Sequence, residues 1–383
     1  MVVVAWDTAV MGGATDVADT VTVGSITAYP GWFAPEHPTS TTRARTLTFD
    51  PTSTTYPARV FRYVVTGPLP DEVEAHLPRG DRWQEPGPEP MDPGRLAALI
   101  GEIEGLLCSI PDRIDRGLLE GARNLRVISQ LAVGLDNVDL AACTELKIPV
   151  GHTPGVLTDT TADTAIALLL ASVRRLPEGE RLVQEGRWER WSSDLLLGAD
   201  LHHSTVGIVG LGRIGSAIAR RLRGFDCRLL YTGPNRKVSV EEALGVTYLP
   251  LPDLLRSADH VILSAPLRSE TRRLIGRAEL KLMKPTATLV NIARGPLIDP
   301  EALADALATG EIARAALDVT DPEPIPPEHR LVLMDNCLII PHLGSASHAT
   351  RKAMAQMAVD NLAAGLAGER LPACANPEVY DSS

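Results

Sequence analysis

The chain is short of cysteine and of basic charge, and it has no long apolar run. Its five cysteines (Cys108, Cys143, Cys227, Cys337 and Cys374) are scattered, odd in number and form no Cys-x-x-Cys pair. That argues against a disulfide framework and against a metal site, and it suits a reducing compartment, the cytoplasm. Lys and Arg number 37 against 48 Asp and Glu, a net charge of -11, which argues against nucleic acid, whose phosphates demand a basic face. A small anionic substrate is not excluded, because one local arginine outweighs a distant acidic surface. No stretch of 18 apolar residues exists, so no membrane span is expected. The start, Met-Val-Val-Val-Ala-Trp-Asp, lacks the basic region of a secretory signal. What is present is 383 residues with an ordinary hydrophobic share of 44%, enough for about two domains with sizeable cores.

Residues 1–57 are rich in Thr, Ser, Gly and Pro, with little sustained apolar period. They read as a disordered extension or as the product of a start assigned too early. The globular part begins at Ala58-Arg-Val-Phe-Arg-Tyr-Val-Val-Thr, a β-branched and aromatic run that reads as a first strand. Residues 84–94 read as a proline-rich loop. Strand-like runs at 105–109, 125–129 and 149–152 then alternate with helical ones, the rhythm of a parallel sheet with crossover helices. A long, mostly buried helix follows. Thr160 and Asp163 offer it a capping box, Arg174 and Arg175 complement its C-terminal dipole, and Pro177 helps to stop it. From Ser204 six further strands are expected, near 205–210, 227–231, 260–264, 287–291, 315–319 and 337–340. One amphipathic helix, roughly His348 to Leu366, closes the chain, with Gly368 at its C-terminal cap. There are no internal repeats.

The strand Val206-Gly-Ile-Val leads into Gly210-Leu-Gly212-Arg213-Ile214-Gly215 and then into a helix. This context gives an otherwise weak glycine motif its meaning. Gly210 permits the tight turn, Gly212 lets backbone approach a pyrophosphate, and Gly215 lets helix and strand pack closely. The helix N-terminus then holds the anion. An NAD site usually ends its second strand with an acidic residue for the ribose hydroxyls. Here that place falls at Tyr231-Thr232-Gly233, and Asn235, Arg236 and Lys237 follow. These residues suit a 2′-phosphate, so NADP(H) is the expected cofactor, with NAD(H) still open.

Three later residues supply acid–base and anion chemistry. Arg294 follows a strand, at the end where ligands of open α/β sheets bind, and its planar guanidinium suits a carboxylate and a ketone oxygen together. His342 is the natural general acid. Glu323 can accept a hydrogen bond from its other ring nitrogen and favour the protonated ring. Asp318 supports this network. Taken singly, each residue has a structural explanation; in this order behind a dinucleotide fold they point to reduction of a 2-keto acid by hydride transfer.

The same residues carry a resemblance. From about Ala58 to Leu371 the chain resembles the D-2-hydroxyacid dehydrogenase family, and within it the glyoxylate/hydroxypyruvate reductases. It does so through Val-Gly-Leu-Asp-Asn at 133–137, Thr-Pro-Gly-Val-Leu-Thr-Asp-Thr-Thr-Ala at 153–162, Gly-Arg-Trp-Glu-Arg-Trp at 186–191, Leu-Tyr-Thr-Gly at 230–233, Val-Asn-Ile-Ala-Arg-Gly at 290–295 and Pro-His-Leu-Gly-Ser-Ala at 341–346. The resemblance implies an α/β fold of two Rossmann-like doubly wound domains. Residues 58–157 plus 342–383 would form a discontinuous substrate domain, with a dinucleotide-binding domain, 158–341, inserted into it. It implies Arg294, Glu323 and His342 as the catalytic set. Backbone amides of Val133 and Gly134 would hold the substrate carboxylate, with Asp318 and Ser345 in the substrate site. Gly212, Arg213 and Ile214 would touch the pyrophosphate, and Ile292 and Gly344 the nicotinamide side. Trp191 would reach the partner's active site in a homodimer. This chain has Pro234 where such reductases can carry a further arginine. Two alternatives stay open: a dehydrogenase of another D-2-hydroxy acid (phosphoglycerate or a sugar keto acid), and a corepressor-like protein that senses dinucleotide.

Overall fold

Short runs of β-branched and aliphatic residues with no polar alternation make strands buried on both faces, and this chain builds two such sheets. The computed structural model describes residues 60–84 and 91–381. The reading of residues 1–57, and most of the expected proline-rich loop, lie outside the described residues. The first sheet contains β1 (Phe61–Val65), β2 (Gly80–Gln84), β3 (Gly105–Cys108), β4 (Val127–Gln130) and β5 (Val150–Gly151). Its order is β2-β1-β3-β4-β5, and every pairing is parallel. The second sheet contains β6 (Thr205–Val209), β7 (Arg228–Thr232), β8 (Val246–Tyr248), β9 (His260–Leu263), β10 (Thr288–Asn291), β11 (Arg314–Leu317) and β12 (Cys337–Ile339). Its order, β12-β11-β10-β9-β6-β7-β8, is also wholly parallel. Both orders are doubly wound. The second reverses direction between β6 and β9, the switch point outside which such sheets bind dinucleotides.

Several local expectations need correction. The second sheet has seven strands, not six, because the three-residue β8 is too short to leave a pattern. Gln84 ends strand β2 and does not open a loop. The long helix spans Thr158–Val173 and begins at Leu157, without a side-chain cap. Thr160 therefore lies inside it, and its hydroxyl meets Thr350 at 2.6 Å instead of capping. Pro177 does not stop that helix. Arg175 turns the chain through a left-handed conformation, and Pro177 lies in the first turn of the next helix, Leu176–Gln184.

Helices cover both faces of each sheet. The Thr158–Val173 helix packs on β10 and β11 and on the Arg213–Leu222 helix. The final helix, His348–Ala367, returns to the first sheet and packs on β3, β4 and β5. Ser347 caps its start through the Thr350 N–H, and Gly368 ends it with positive φ, as the sequence indicates. The chain thus passes between the sheets twice, near residues 152–157 and 340–347. The C-terminal ends of β4, β9, β10, β11 and β12 meet at one cleft of about 580 Å³.

Candidate active site

The cleft brings together loops from both sheets. Ala132 to Asp136 enter from the first sheet, and Ile292, Ala293, Arg294, Asp318, His342, Gly344 and Ser345 from the second. Arg294 is projected by a clamp. Fully buried Asn291, the last residue of β10, donates to the Arg294 carbonyl at 2.8 Å and accepts from the Ala293 N–H at 3.0 Å. The guanidinium donates through Nε to Asp136 at 2.8 Å and through Nη1 to the Ala293 carbonyl at 2.8 Å. Nη2 lies so close to Gly134 that a β-carbon there would fall 1.7 Å from it. Glycine at 134 is therefore a requirement of Arg294's position.

His342 follows β12. Its φ of 51° is left-handed for a residue with a side chain, a conformation that clusters at functional sites. Its N–H donates to the Asp318 carbonyl at 2.9 Å. Its Nδ1 lies 2.6 Å from Glu323 Oε1, and the Thr320 N–H donates to the other carboxylate oxygen at 3.2 Å. Burial pushes the Glu323 carboxyl upward. The hydrogen bond and charge of His342, the Thr320 N–H and Arg294 outweigh it, so the group stays below the usual glutamate value. With Nδ1 committed to a carboxylate, Nε2 is the nitrogen left for a substrate. Asp318, 2% exposed, accepts from the N–H groups of Leu343 at 2.5 Å and Gly344 at 3.0 Å. It thereby fixes the chain just after His342. Burial raises its pKa against those bonds and the His342 charge.

The glycine turn fits a dinucleotide. Gly210 has φ of 97°, and a β-carbon there would lie 2.7 Å from the Ala265 nitrogen. A β-carbon on Gly215 would lie 2.2 Å from the Gly210 carbonyl oxygen. Gly212 faces open space and starts the Arg213–Leu222 helix without a side-chain cap, so the first-turn N–H groups are available to an anion. Arg213, Arg220 and Lys237 line the recess beside it, while Ile214 and Ile292 line the main cleft. Past β7, Lys237 Nζ donates to the Leu211 carbonyl at 2.6 Å. Arg236 is bound by Glu241 through Nε at 2.9 Å and Nη2 at 2.8 Å, and Tyr231 donates to the same carboxylate at 2.7 Å. Asn235 is exposed.

A model of the D-isomer specific 2-hydroxyacid dehydrogenase NAD-binding domain matches residues 166–344. A glyoxylate reductase/hydroxypyruvate reductase of Mus musculus is 44% identical over 326 residues, 82% of this chain and 98% of that protein. The chain belongs to the D-2-hydroxyacid dehydrogenase family. A glyoxylate reductase of Korarchaeum cryptofilum is 43% identical over 325 residues, covering 83% of this dehydrogenase and 96% of its relative. Among solved structures, an NADPH-dependent glyoxylate/hydroxypyruvate reductase of Sinorhizobium meliloti, in complex with NADP and malonate, matches with a TM-score of 0.75 at 34% identity. The match covers 83% of this chain and 98% of that one.

The dehydrogenase's cleft thus gathers Val133, Gly134, Arg294, Asp318, His342, Gly344 and Ser345, with Glu323 behind His342. It does not gather Trp191, which lies 79% exposed in a segment where Leu176, Val183, Trp188, Leu195 and Leu197 are exposed too. Sequence reasoning missed Asp136, Asn291, Glu241 and the cleft arginines Arg268 and Arg351. Asp136 and Asn291 sit inside the motifs quoted above, but nothing in the one-dimensional pattern pairs Asp136 with a residue 158 positions away. No described helix is long and apolar enough to cross a membrane, and among the described residues no group of three His, Cys, Asp or Glu side chains could hold a metal ion.

Proposed function

We propose that this dehydrogenase reduces glyoxylate and hydroxypyruvate to glycolate and D-glycerate, with NADPH preferred and NADH possible. The observation that carries the reading is the pairing of an Arg294 anion clamp with the Glu323–His342 acid at one cleft beside the glycine turn. A bound reduced nicotinamide supplies the hydride. Arg294 and the backbone N–H groups of Val133 and Gly134 hold the substrate carboxylate, and Arg294 also polarises the ketone. His342 gives the proton on Nε2 to the ketone oxygen while Glu323 stabilises the ring's charged form and fixes its orientation. Ser345 borders the substrate, and Ile292 and Gly344 the nicotinamide.

The NADPH preference rests on three features. No acidic side chain ends β7, Lys237 sits on the glycine turn, and Arg213 and Arg220 line the same recess. Asn235 and Arg236 border the 2′-phosphate, although Glu241 already occupies two donors of Arg236. The relatives' names favour glyoxylate and hydroxypyruvate over phosphoglycerate or a sugar keto acid. We further propose that residues 58–157 with 342–383 form the substrate domain and 158–341 the coenzyme domain, and that their closure excludes water. The exposed apolar segment from Leu176 to Leu197 supports a homodimer in which Trp191 reaches the partner's cleft. The five free cysteines fit a cytoplasmic setting.

The test is an NADPH-versus-NADH assay across a panel of 2-keto acids, with Arg294→Ala and His342→Ala alongside. Each substitution should cost at least ~100-fold in kcat/KM. Wild-type rates in both variants would remove the assigned roles.

A further inference from the structure

His152 lies outside the catalytic set, yet it stands directly behind the loop proposed to hold the substrate. Its backbone is fixed at both ends. The His152 N–H donates to the Ala373 carbonyl at 3.1 Å, and its carbonyl accepts from Asn361 Nδ2 at 3.1 Å. Asn361 is fully buried in the His348–Ala367 helix and is itself held by the Ala373 N–H at 3.0 Å. From this anchored position the half-buried imidazole places Nδ1 3.3 Å from the Val133 carbonyl oxygen. A carbonyl can only accept, so Nδ1 carries a proton and donates.

The consequence lies in one peptide plane. The Val133 carbonyl and the Gly134 N–H belong to the same peptide unit, which is trans, so the two groups point in opposite directions. Holding the carbonyl from behind turns the N–H the other way. Gly134 lines the cleft against Arg294 Nη2. Neither the Val133 nor the Gly134 N–H donates to a protein acceptor among the described residues. We propose that His152 is a positioning residue that aims the Gly134 N–H at the substrate carboxylate. This rests on the proposed carboxylate-binding role of Arg294 and the 133–134 amides. The donor role needs no charge on the ring. Burial, opposed by the Val133 bond and reinforced by nearby Arg213, holds the ring's pKa below the usual histidine value. The neutral Nδ1–H tautomer suffices.

The experiment uses the full chain with NADPH and compares wild type, His152→Phe, His152→Gln and Arg294→Ala. Oxalate serves as a non-reacting carboxylate probe, titrated into the enzyme–NADPH complex, and glyoxylate as substrate. His152→Phe keeps a ring but no donor. It should raise the glyoxylate KM and the oxalate Kd together by roughly fivefold, the worth of one neutral hydrogen bond. Its kcat and NADPH Kd should stay within about twofold of wild type on the same reasoning, and His152→Gln, which restores a donor, should recover most of the loss. Unchanged oxalate binding in His152→Phe overturns the proposal. So does a loss of KM, kcat, NADPH affinity and Tm in parallel, which marks a merely structural residue. If Arg294→Ala binds oxalate as wild type does, the underlying carboxylate assignment fails first, and the proposal with it.

Discussion

Gly134→Ala tests the architecture of the cleft with one methyl group. The backbone at 134 lies outside the left-handed region, so alanine itself is unstrained there. The added carbon, however, would fall 1.7 Å from Arg294 Nη2, 2.7 Å from its Cζ and 2.9 Å from Asp136 Oδ1. Ordinary contact is about 3.5 Å, so the guanidinium end must withdraw by roughly 1.8 Å. It is the far end of a flexible side chain and can do so without disturbing the core. Its proposed place over the substrate carboxylate is then lost. A displacement of about 1 Å in a positioning group can cost ~100-fold, which corresponds to ~2.7 kcal/mol of transition-state stabilisation.

The expected result is therefore a fall of about 100-fold in kcat/KM for glyoxylate, with Tm and NADPH affinity nearly unchanged. Steady-state kinetics, thermal denaturation and fluorescence titration of NADPH measure the three quantities. A second arm fixes the cause. In an Arg294→Ala background the same glycine substitution should add little, because the group it displaces is gone. Full activity in Gly134→Ala, or a fully additive loss in the double variant, would refute the reasoning.

Two further substitutions probe the acid and the cofactor turn. Glu323→Gln removes the carboxylate that lies 2.6 Å from His342 Nδ1 and orients the ring, so kcat/KM for glyoxylate should fall at least ~10-fold, and a wild-type kcat/KM contradicts the pairing. Glu323 itself lies below the usual carboxylate value in the fold. Its contribution to stability is then complete above the unfolded carboxylate pKa and is lost as pH falls through the folded one, so the Tm gap between wild type and Glu323→Gln should close in acid. Gly215→Ala puts a carbon 2.2 Å from the Gly210 carbonyl oxygen, a backbone atom that cannot swing aside. NADPH binding should weaken at least ~10-fold in a fluorescence titration, and an unchanged Kd would show that the turn does not hold the dinucleotide.

Elements and motifs were legible in the sequence to different depths. The glycine turn is local, since three glycines, a strand and a helix lie within one short stretch, and Gly210 and Gly215 do in space what their positions indicate. The runs at 205–209, 260–263 and 288–291 are visible because burial on both faces leaves continuous aliphatic stretches. β8 escapes because three residues carry no period, and β2 (Gly-Asp-Arg-Trp-Gln) because most of its residues face outward on an edge strand. Thr160 resembles a cap in the sequence because nothing local shows that its hydroxyl bonds across to another helix. The partners of the site's charges were illegible for a different reason. Asp136 and Glu241 are ordinary acidic residues until folding brings an arginine to them.

Those partners set which way the site's polar groups face. Arg294 commits Nε to Asp136 and Nη1 to a carbonyl, and His342 commits Nδ1 to Glu323, so each side chain keeps one face toward the cleft. Pairing also fixes direction, because a guanidinium with two donors committed cannot rotate to meet an anion elsewhere. The carboxylates that orient the cations add negative charge to the cleft that must receive an anion. In the proposed binding mode, Val133 and Gly134 answer part of that cost with N–H dipoles, which attract a carboxylate without adding a net charge that a further acid must balance. In the same proposed mode, a chain with a net charge of -11 recognises a small carboxylate through an oriented guanidinium, an oriented imidazole and a backbone turn. The same logic locates the sensitive residues: glycines 134 and 215, where space itself is the functional group.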